Sequence, residues 1–242
     1  MANQQQKATL RLRELILAGD FAPGEWLREH MVSKKLGTSR TPARIAMQIL
    51  EQEGLLRFYP NRGFCVERFT LQQIADAVDV RGTLEAMACR LVAQNGLSNE
   101  TAEALRECVA RGRELVSGGG FGEEHTQKWS GFNHDFHDRI VRAAGNEALS
   151  TSIEYNNRIP LASAGAITFF SQRADLGLPM LREAQRDHEQ ILDAIVDRDS
   201  GRAEYLMREH GRRSRENKLM FMNDVKTRAI LDTVPGSKLI IA

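Results

Sequence analysis

The sequence has no long apolar run and few cysteines, and both absences exclude classes of protein. No stretch approaches the roughly 20 apolar residues that a membrane-spanning helix needs, and no secretory signal pattern is present, so the expected compartment is the cytoplasm. Cys65, Cys89 and Cys108 are odd in number, widely spaced and without a C-x-x-C pair. This argues against both a disulfide framework and a thiolate zinc site.

Signatures of catalysis are also missing. The chain has no nucleophile elbow, no phosphate-binding loop and no carboxylate placed as a general base. With 42% apolar and 27% charged residues over 242 positions, the composition is that of a globular protein long enough for two domains. The 69–225 region has no convincing strand pattern, so the predicted fold class is mainly α.

The charge is unevenly distributed between the two ends of the chain. Residues 1–68 contain eleven lysines and arginines against seven acidic residues, so they carry +4 and the remainder carries −3. A basic N-terminal region on an acidic body is typical of a nucleic-acid-binding module attached to a second domain.

The stretch from Ser39 to Arg44 predicts the start of a presented helix. Ser39 is expected to cap it with its hydroxyl, and Pro42 falls near the third helical position, where no intrahelical N–H bond is lost. One apolar stripe follows at helical spacing, formed by Ala43, Ala46, Met47 and Leu50. Outside that stripe lie Arg40, Thr41 and Arg44, residue types that suit a DNA major groove.

The surrounding segments decide between a DNA-reading helix and an ordinary surface helix. Helices are predicted over 3–18 and 28–36, the latter ending at Gly37, so that a tight turn leads into the Ser39 helix in the helix-turn-helix manner. Two strands over 55–59 and 63–66 form a hairpin, or wing. The resulting 1–68 domain is predicted to be a winged helix-turn-helix.

The run from Leu10 to Val66 closely resembles the winged helix-turn-helix domain of GntR-type bacterial transcription regulators. It contains the PGE turn, the LG-x-SRTP-x-R run, the E-x-EGL segment and the PNRGF wing, in order. In the fatty-acid-regulator (FadR-type) branch an arginine near the start of the second helix also contacts DNA, and here that position holds His30, beside Arg28. The resemblance implies DNA-binding roles for Arg28, His30, Ser39, Arg40, Thr41, Arg44, Asn61, Arg62 and Gly63.

The second domain, residues 69–225, is predicted to be all helical. Its expected helices span 71–94, 98–117, 122–144, 147–170 with an interruption at Pro160, 180–197 and 200–223. On the first of them Arg81 and Glu85 continue an apolar row, where charges are costly unless paired or bound. Either they form a structural ion pair or the edge of a dimer interface, or Arg81 anchors the carboxylate of a small effector.

Histidines fall on inward-facing positions of the last helices. His188 lies on the ridge of Leu181 and Ile191, and His210 on that of Ala203. His137 lies at the edge of a third ridge. A single buried histidine is usually structural, but imidazoles gathered inside a bundle suit a divalent metal.

The segment 74–222 resembles the ligand-binding FCD domain of the same branch, through VDVRGTLEAMACRLVA, FNHDFHDRIVRAAGN and DHEQILDAI. In that family an aspartate, a histidine four residues later and two further histidines hold a metal. The resemblance places these roles at Asn133, His137, His188 and His210, with asparagine replacing the aspartate. It implies a divalent cofactor, with zinc or nickel expected, and a ligand-binding role for this domain. The candidate effector-binding residues remain Arg81 and Glu85, from their position in the apolar row.

The sequence therefore predicts a homodimeric transcription regulator, most simply a repressor, of a palindromic double-stranded operator, controlled by a small carboxylate-containing effector. The alternative is a metal-dependent enzyme that uses the histidine cluster. A third reading is an architectural DNA-binding protein without an effector. The segment 226–242 is expected to be either a mobile tail or an added strand at a partner's edge.

Overall fold

The computed structural model describes residues 3–118, 121–166, 173–223 and 236–241, which divide into two compact units. The first unit takes its described residues from 1–73, 158–160 and 232–242, and the second from 74–157 and 161–231. The first unit thus extends beyond residue 68 and includes the last described residues of the segment expected to be a tail. No helix within the described ranges is long and apolar enough to cross a membrane.

Among its described residues the first unit contains three α-helices, a 3-10 turn at Ser237–Leu239 and two small sheets. Its elements are α1 (Gln4–Leu17), β1 (Trp26–Leu27), α2 (Glu29–Leu36), α3 (Arg40–Gln52), β2 (Leu56–Tyr59), β3 (Gly63–Val66), β4 (Phe69–Thr70) and, near the C-terminus, β5 (Ile240–Ile241).

The predicted helix-turn-helix is present as α2 and α3. Gly37 ends α2 with φ +63°, a left-handed conformation that glycine adopts without strain. The helix α3 buries the predicted apolar stripe completely, so its opposite face is free for contact. One detail is corrected: Ser39 occupies the N-cap position with an extended backbone, but its side chain makes no capping hydrogen bond. The stripe, rather than the cap, therefore stabilises this helix.

The wing is a three-stranded antiparallel sheet in the order β1-β3-β2. The predicted hairpin pairs Leu56 with Val66 and Tyr59 with Gly63, and its first strand begins one residue later than expected. The strand β1 was not predicted, and it pairs Trp26 with Cys65. Two residues are too few to give a period-two signal in the sequence.

The strand β5 near the C-terminus pairs with β4, and both strands belong to the first unit. Ile240 lies opposite Phe69 and Ile241 opposite Thr70 in a parallel ladder. The expectation of no strand from residue 69 onward is therefore wrong at Phe69–Thr70, and the C-terminal residues add a strand to their own chain rather than to a partner's edge.

The second domain is helical, which confirms the predicted fold class. Its helices are α4 (Leu71–Asn95), α5 (Asn99–Ser117), α6 (Glu123–Ala143), α7 (Glu147–Asn156), α8 (Ala174–Val196) and α9 (Ser200–Asn223). The helix predicted over 147–170 is wrong beyond Asn156: residues 157–166 form turns and irregular backbone, and 167–170 lie outside the described residues. The helix α8 begins earlier than expected and contains Pro179.

A continuous apolar core joins these helices. It includes Val92 of α4, Leu105 of α5, Ile140 of α6, Ile191 of α8 and Met207 of α9, all fully buried. Burial of these apolar side chains provides the main stabilisation of such a helical bundle. The buried polar residues described below lie among the same helices.

Two glycines allow α4 and α9 to approach closely. A Cβ added to Gly82 would lie 3.1 Å from the Cα of Gly211, and one added to Gly211 would lie 2.9 Å from the Cα of Gly82. The neighbours of these glycines in sequence are Arg81 and His210. The crossing therefore brings the effector candidate on α4 and the metal candidate on α9 to the same level of the bundle.

We expect Gly211→Ala to lower the free energy of unfolding by about 1–3 kcal/mol, because the added methyl group meets backbone that cannot move aside cheaply. Urea denaturation followed by circular dichroism measures this as a lower midpoint. The matched control is Gly131→Ala on α6, where an added Cβ meets nothing within 4 Å; it should be neutral or slightly stabilising. Equal midpoints for the two variants would refute the close crossing.

Candidate DNA-binding surface and candidate metal centre

The helix α3, which is the recognition helix of the helix-turn-helix, and the wing form the two walls of one open cleft of about 1060 Å³. Seven of the nine predicted DNA-binding residues line it: Arg28, His30, Arg40, Arg44, Asn61, Arg62 and Gly63. The other two, Ser39 and Thr41, are exposed at the start of α3 but do not line the cleft. Four arginines in one concave surface suit a polyanionic partner.

Local structure explains how the wing presents its cation. The turn between β2 and β3 is closed by the Arg62 N–H, which donates to the Tyr59 carbonyl at 3.1 Å. Asn61 has φ +64°, a left-handed conformation that asparagine tolerates in turns. The Arg62 guanidinium lies 6.0 Å from the centroid of the Trp26 ring. The arginine is thus held at the tip of a short, tightly turned hairpin.

Two aromatic residues of this cleft were missed by sequence reasoning. Phe58 is 51% exposed and Trp26 is 39% exposed, and both line the cleft. Their signal was present, since large aromatic side chains in a short hairpin of a small domain cannot all be buried. The sequence prediction nevertheless covered only the pairing of these strands and not the exposure of their aromatic side chains.

The helical domain gathers His137 from α6, His188 from α8 and His210 from α9. Their ligand atoms all lie within 4.8 Å of one another, and the three side chains are buried. Three imidazoles at such distances can bind one divalent metal. The predicted grouping depended on His188 and His210 lying on the inward ridges of their helices and on His137 lying at the edge of a third ridge.

Asp187 orients His210. The His210 Nδ1 lies 3.0 Å from Asp187 Oδ2, and Arg213 donates to the same carboxylate at 2.6 and 3.1 Å. A carboxylate on one ring nitrogen fixes the ring and leaves the other nitrogen available for a metal. Sequence reasoning missed Asp187, because an acidic residue on a helix is by default expected to face water.

Glu85 lies between Arg81 and His137. Arg81 Nη1 donates to both Glu85 oxygens at 3.1 and 3.3 Å, and His137 Nδ1 lies 3.0 Å from Glu85 Oε2. Burial raises the pKa of Glu85, but the charge of Arg81 and the interaction with His137 outweigh it and lower the pKa to about 2. Arg81 and Glu85 thus form a buried ion pair that also touches a candidate metal ligand.

The histidines are suited to be neutral ligands. Burial lowers the pKa of His188 well below its ordinary value, and His210 and His137 add to the effect. Burial also lowers the pKa of His137, although Glu85 opposes the shift. A neutral imidazole is the form that binds a metal.

Unpaired buried atoms test whether a cation fits this set. Asn133 Nδ2 donates to the Ala164 carbonyl at 2.5 Å, while Asn133 Oδ1, His137 Nε2 and His188 Nε2 have no hydrogen-bond partner within the described residues. Buried acceptors of this kind are rare. A divalent cation would satisfy all three, so these residues fit a metal.

A small cavity of about 40 Å³ is lined in part by His137 and His210. Its lining includes the buried Lys218, which sequence reasoning also missed. The other lining residues are Arg81, Trp129, Asn133, His137, Ala164, Met180, Leu181, Glu183, Ala184, His210, Ser214 and Asn217.

The fold, the arginine-lined cleft and the buried histidine cluster define a winged helix-turn-helix DNA-binding protein with a separate helical domain. Residues 4–66 match the gntR family of bacterial regulatory proteins, and residues 76–213 match the FCD domain. The chain therefore belongs to the GntR family of transcriptional regulators, in the group that carries an FCD domain.

Individual relatives agree with this assignment. The chain is 29% identical to an uncharacterised HTH-type transcriptional regulator of Streptomyces ambofaciens, over 83% of this chain and 79% of that protein. It is 26% identical to the HTH-type transcriptional repressor GlaR of Escherichia coli, over 82% and 88%. A solved structure described as E. coli McbR/YncC shares the fold, with TM-score 0.61 and 20% identity over 92% of this chain and 100% of that one.

The two curated relatives are transcriptional regulators, and this decides between a regulator and a metal-dependent enzyme. The protein is a regulator rather than a metal-dependent enzyme.

Proposed function

We propose that this protein is a homodimeric repressor whose affinity for a palindromic operator is controlled by a small organic acid bound beside a divalent metal in the helical domain. The observation that carries the proposal is the group of three buried histidines, which has unpaired acceptors and lies in a regulator that has no catalytic use for it. Repression is supported by the name of the E. coli relative GlaR, a transcriptional repressor.

The DNA contacts are assigned by position. Arg40 and Arg44 on the exposed face of α3 enter the major groove, where arginine can bond two guanine acceptors. Arg62, with Asn61 and Gly63, contacts phosphate or the adjacent minor groove. Arg28, His30, Ser39 and Thr41 contact the backbone around the recognition helix.

The dimer is supported by an apolar stripe on α4. Val80 is 50% exposed, and the half-buried Leu84, Met87 and Leu91 follow it at helical spacing. A second copy would bury this stripe. Two-fold symmetry would then place two recognition helices about 34 Å apart, on successive major grooves of a palindrome.

The effector site is assigned to the cavity beside the histidines. When bound, a divalent metal supplies a positive centre that carboxylate oxygens can ligate. Asn133, His137, His188 and His210 would hold it, and Arg81, oriented by Glu85, would bond the acid. A cavity of about 40 Å³ favours a short acid over a long acyl chain. The acid regulates only if it binds the two DNA-affinity states unequally.

Fluorescence anisotropy tests this proposal. The probe is a labelled duplex selected by the full-length protein from a random DNA pool. We expect the selected sequences to contain inverted half-sites. In zinc-loaded protein, short organic acids should change the operator affinity about 5–150-fold, the usual range of allosteric coupling.

Chelation by EDTA is the control, and it should abolish the response to acid. A metal-loaded protein whose operator affinity is unchanged across a panel of short organic acids would reject acid control. The DNA-binding assignment would survive that result, because it depends on a different surface.

A further inference from the structure

Lys218 is a buried cation without an assigned role. It lies on α9, is 2% exposed and lines the cavity beside the histidines. Its Nζ donates to the carbonyl of Leu161 and, at 3.3 Å, to that of Ser163. These neutral acceptors satisfy two of its three donors.

No carboxylate lies within ion-pair distance of Lys218 among the described residues. Burial lowers the pKa of Lys218 well below its ordinary value; the Arg81 charge adds to this, and Glu85 opposes it. An ammonium in such a position is costly to keep charged without an anion. An anionic ligand entering the cavity would remove that cost.

Other groups of the lining also lack acceptors. Trp129 Nε1 and Arg81 Nε are buried donors with no hydrogen-bond partner within the described ranges, and both residues line the cavity. Each is an N–H that a second oxygen-rich group could satisfy. Buried unpaired donors and acceptors are thus both present, and a cation accounts only for the acceptors.

The acidic residues near the cavity do not neutralise the Lys218 side chain. Glu85 is already paired with Arg81. Glu183 is half-exposed at the edge and lies 4.0 Å from Arg213. Asp187 is engaged by His210 and Arg213. None of these three carboxylates is therefore an ion-pair partner of Lys218.

We propose that the effector is a short dicarboxylate, or an acid with a second anionic group, whose second group binds between Lys218 and Arg81. This rests on the proposed function, which assigns the first carboxylate to the metal side of the cavity. The second carboxylate accepts from Lys218 Nζ, and the unpaired Trp129 and Arg81 N–H groups are within the same lining. A monocarboxylate leaves these donors unsatisfied and binds less tightly.

Lys218 could instead serve only to hold the 161–163 backbone. The two roles predict different outcomes, because a structural lysine affects all acids alike. A ligand-binding lysine affects only those acids that carry the second charge.

Isothermal titration calorimetry on zinc-loaded, tag-free full-length protein separates the two roles. The probes are succinate and succinamate, which has the same length but one carboxylate replaced by a neutral amide. Wild type should bind succinate at least about tenfold more tightly, since a charge-assisted bond is lost with the amide. Malonate and glutarate establish which chain length fits the cavity.

Lys218→Met should remove most of this discrimination, bringing the two dissociation constants within about threefold while leaving succinamate affinity nearly unchanged. The matched control is Lys128→Met, an exposed lysine on α6 paired with Glu124, which should keep the wild-type preference.

Three outcomes would overturn the proposal. Equal wild-type affinities for succinate and succinamate would reject the second anionic site while preserving acid control, and this comparison needs no variant. Equal losses for both acids in Lys218→Met would assign the lysine a structural role. Binding of neither these acids nor malonate or glutarate would reject both this proposal and the acid effector from which it follows.

Discussion

Full-length protein carrying His188→Phe is expected to purify with less than about one tenth of the wild-type zinc or nickel content. The His188 ring stacks on Phe136 with centroids 4.3 Å apart and on Trp129 at 5.7 Å, so phenylalanine can preserve the packing while removing the ligand atom. Loss of a group that only orients a metal ligand costs about 10–100-fold in metal affinity, so loss of the ligand itself should cost at least about 100-fold. Elemental analysis and titration against a chelator measure both quantities.

The matched control is His134→Phe. His134 is on α6 like His137 but is exposed, so its replacement should leave metal content unchanged. Circular dichroism establishes that each variant is folded. Metal retained at the wild-type level by folded His188→Phe protein would exclude His188 from the site.

Arg40→Ala and Arg44→Ala are each expected to weaken operator binding by about 5–150-fold, which corresponds to the 1–3 kcal/mol of a base contact. Both side chains are exposed at the start of α3 and line the cleft with Arg62 of the wing. Arg44 is held near Glu29 at 3.6 Å, an exposed pair too weak to compete with DNA. The double variant should lose at least about 100-fold.

The control for this pair is Arg11→Ala on α1. Arg11 is also exposed, bonds Glu14 at 3.0 Å and does not line the cleft, so its variant should bind like wild type. Salt titration adds a second readout, because loss of a phosphate contact reduces the slope of log affinity against log salt by about one. Unchanged operator affinity in the double variant would show that α3 is not the recognition helix.

The His188→Phe variant and the double variant of Arg40 and Arg44 change different parts of the molecule. Removing the metal ligand should leave DNA binding in place but abolish the response to acid, whereas removing the arginines should weaken DNA binding and leave metal content intact. Such a division follows from the two compact units, each of which has its own core and its own polar surface.

Local patterns predicted the features that are encoded within one element. The apolar stripe of α3 and the left-handed Gly37 each depend on a few consecutive residues, because helical period and glycine conformation are local properties. The helices α5, α6 and α9 were also predicted to within about a residue at most of their ends. The helix predicted over 147–170 with an interruption at Pro160 instead ends at Asn156, because periodicity alone does not reveal where a chain stops being helical.

Features formed by distant residues were not predicted. The pairing of Phe69 with Ile240 joins two strands of two residues each, too short to carry a signal. Asp187 and Lys218 are charged residues whose burial contradicts the usual expectation for their type. Their partners, His210 and the carbonyls of Leu161 and Ser163, come from other segments of the chain.

The sequence by itself determined that this chain has a DNA-reading head and a helical body with inward-facing histidines. These are consequences of residue order along single helices and of a motif contained in about sixty consecutive positions. Only the tertiary structure decided which charges meet. The close crossing of α4 and α9 at Gly82 and Gly211 brings Arg81 and His210 to one level, and side chains from separate helices share an environment only once those helices have packed.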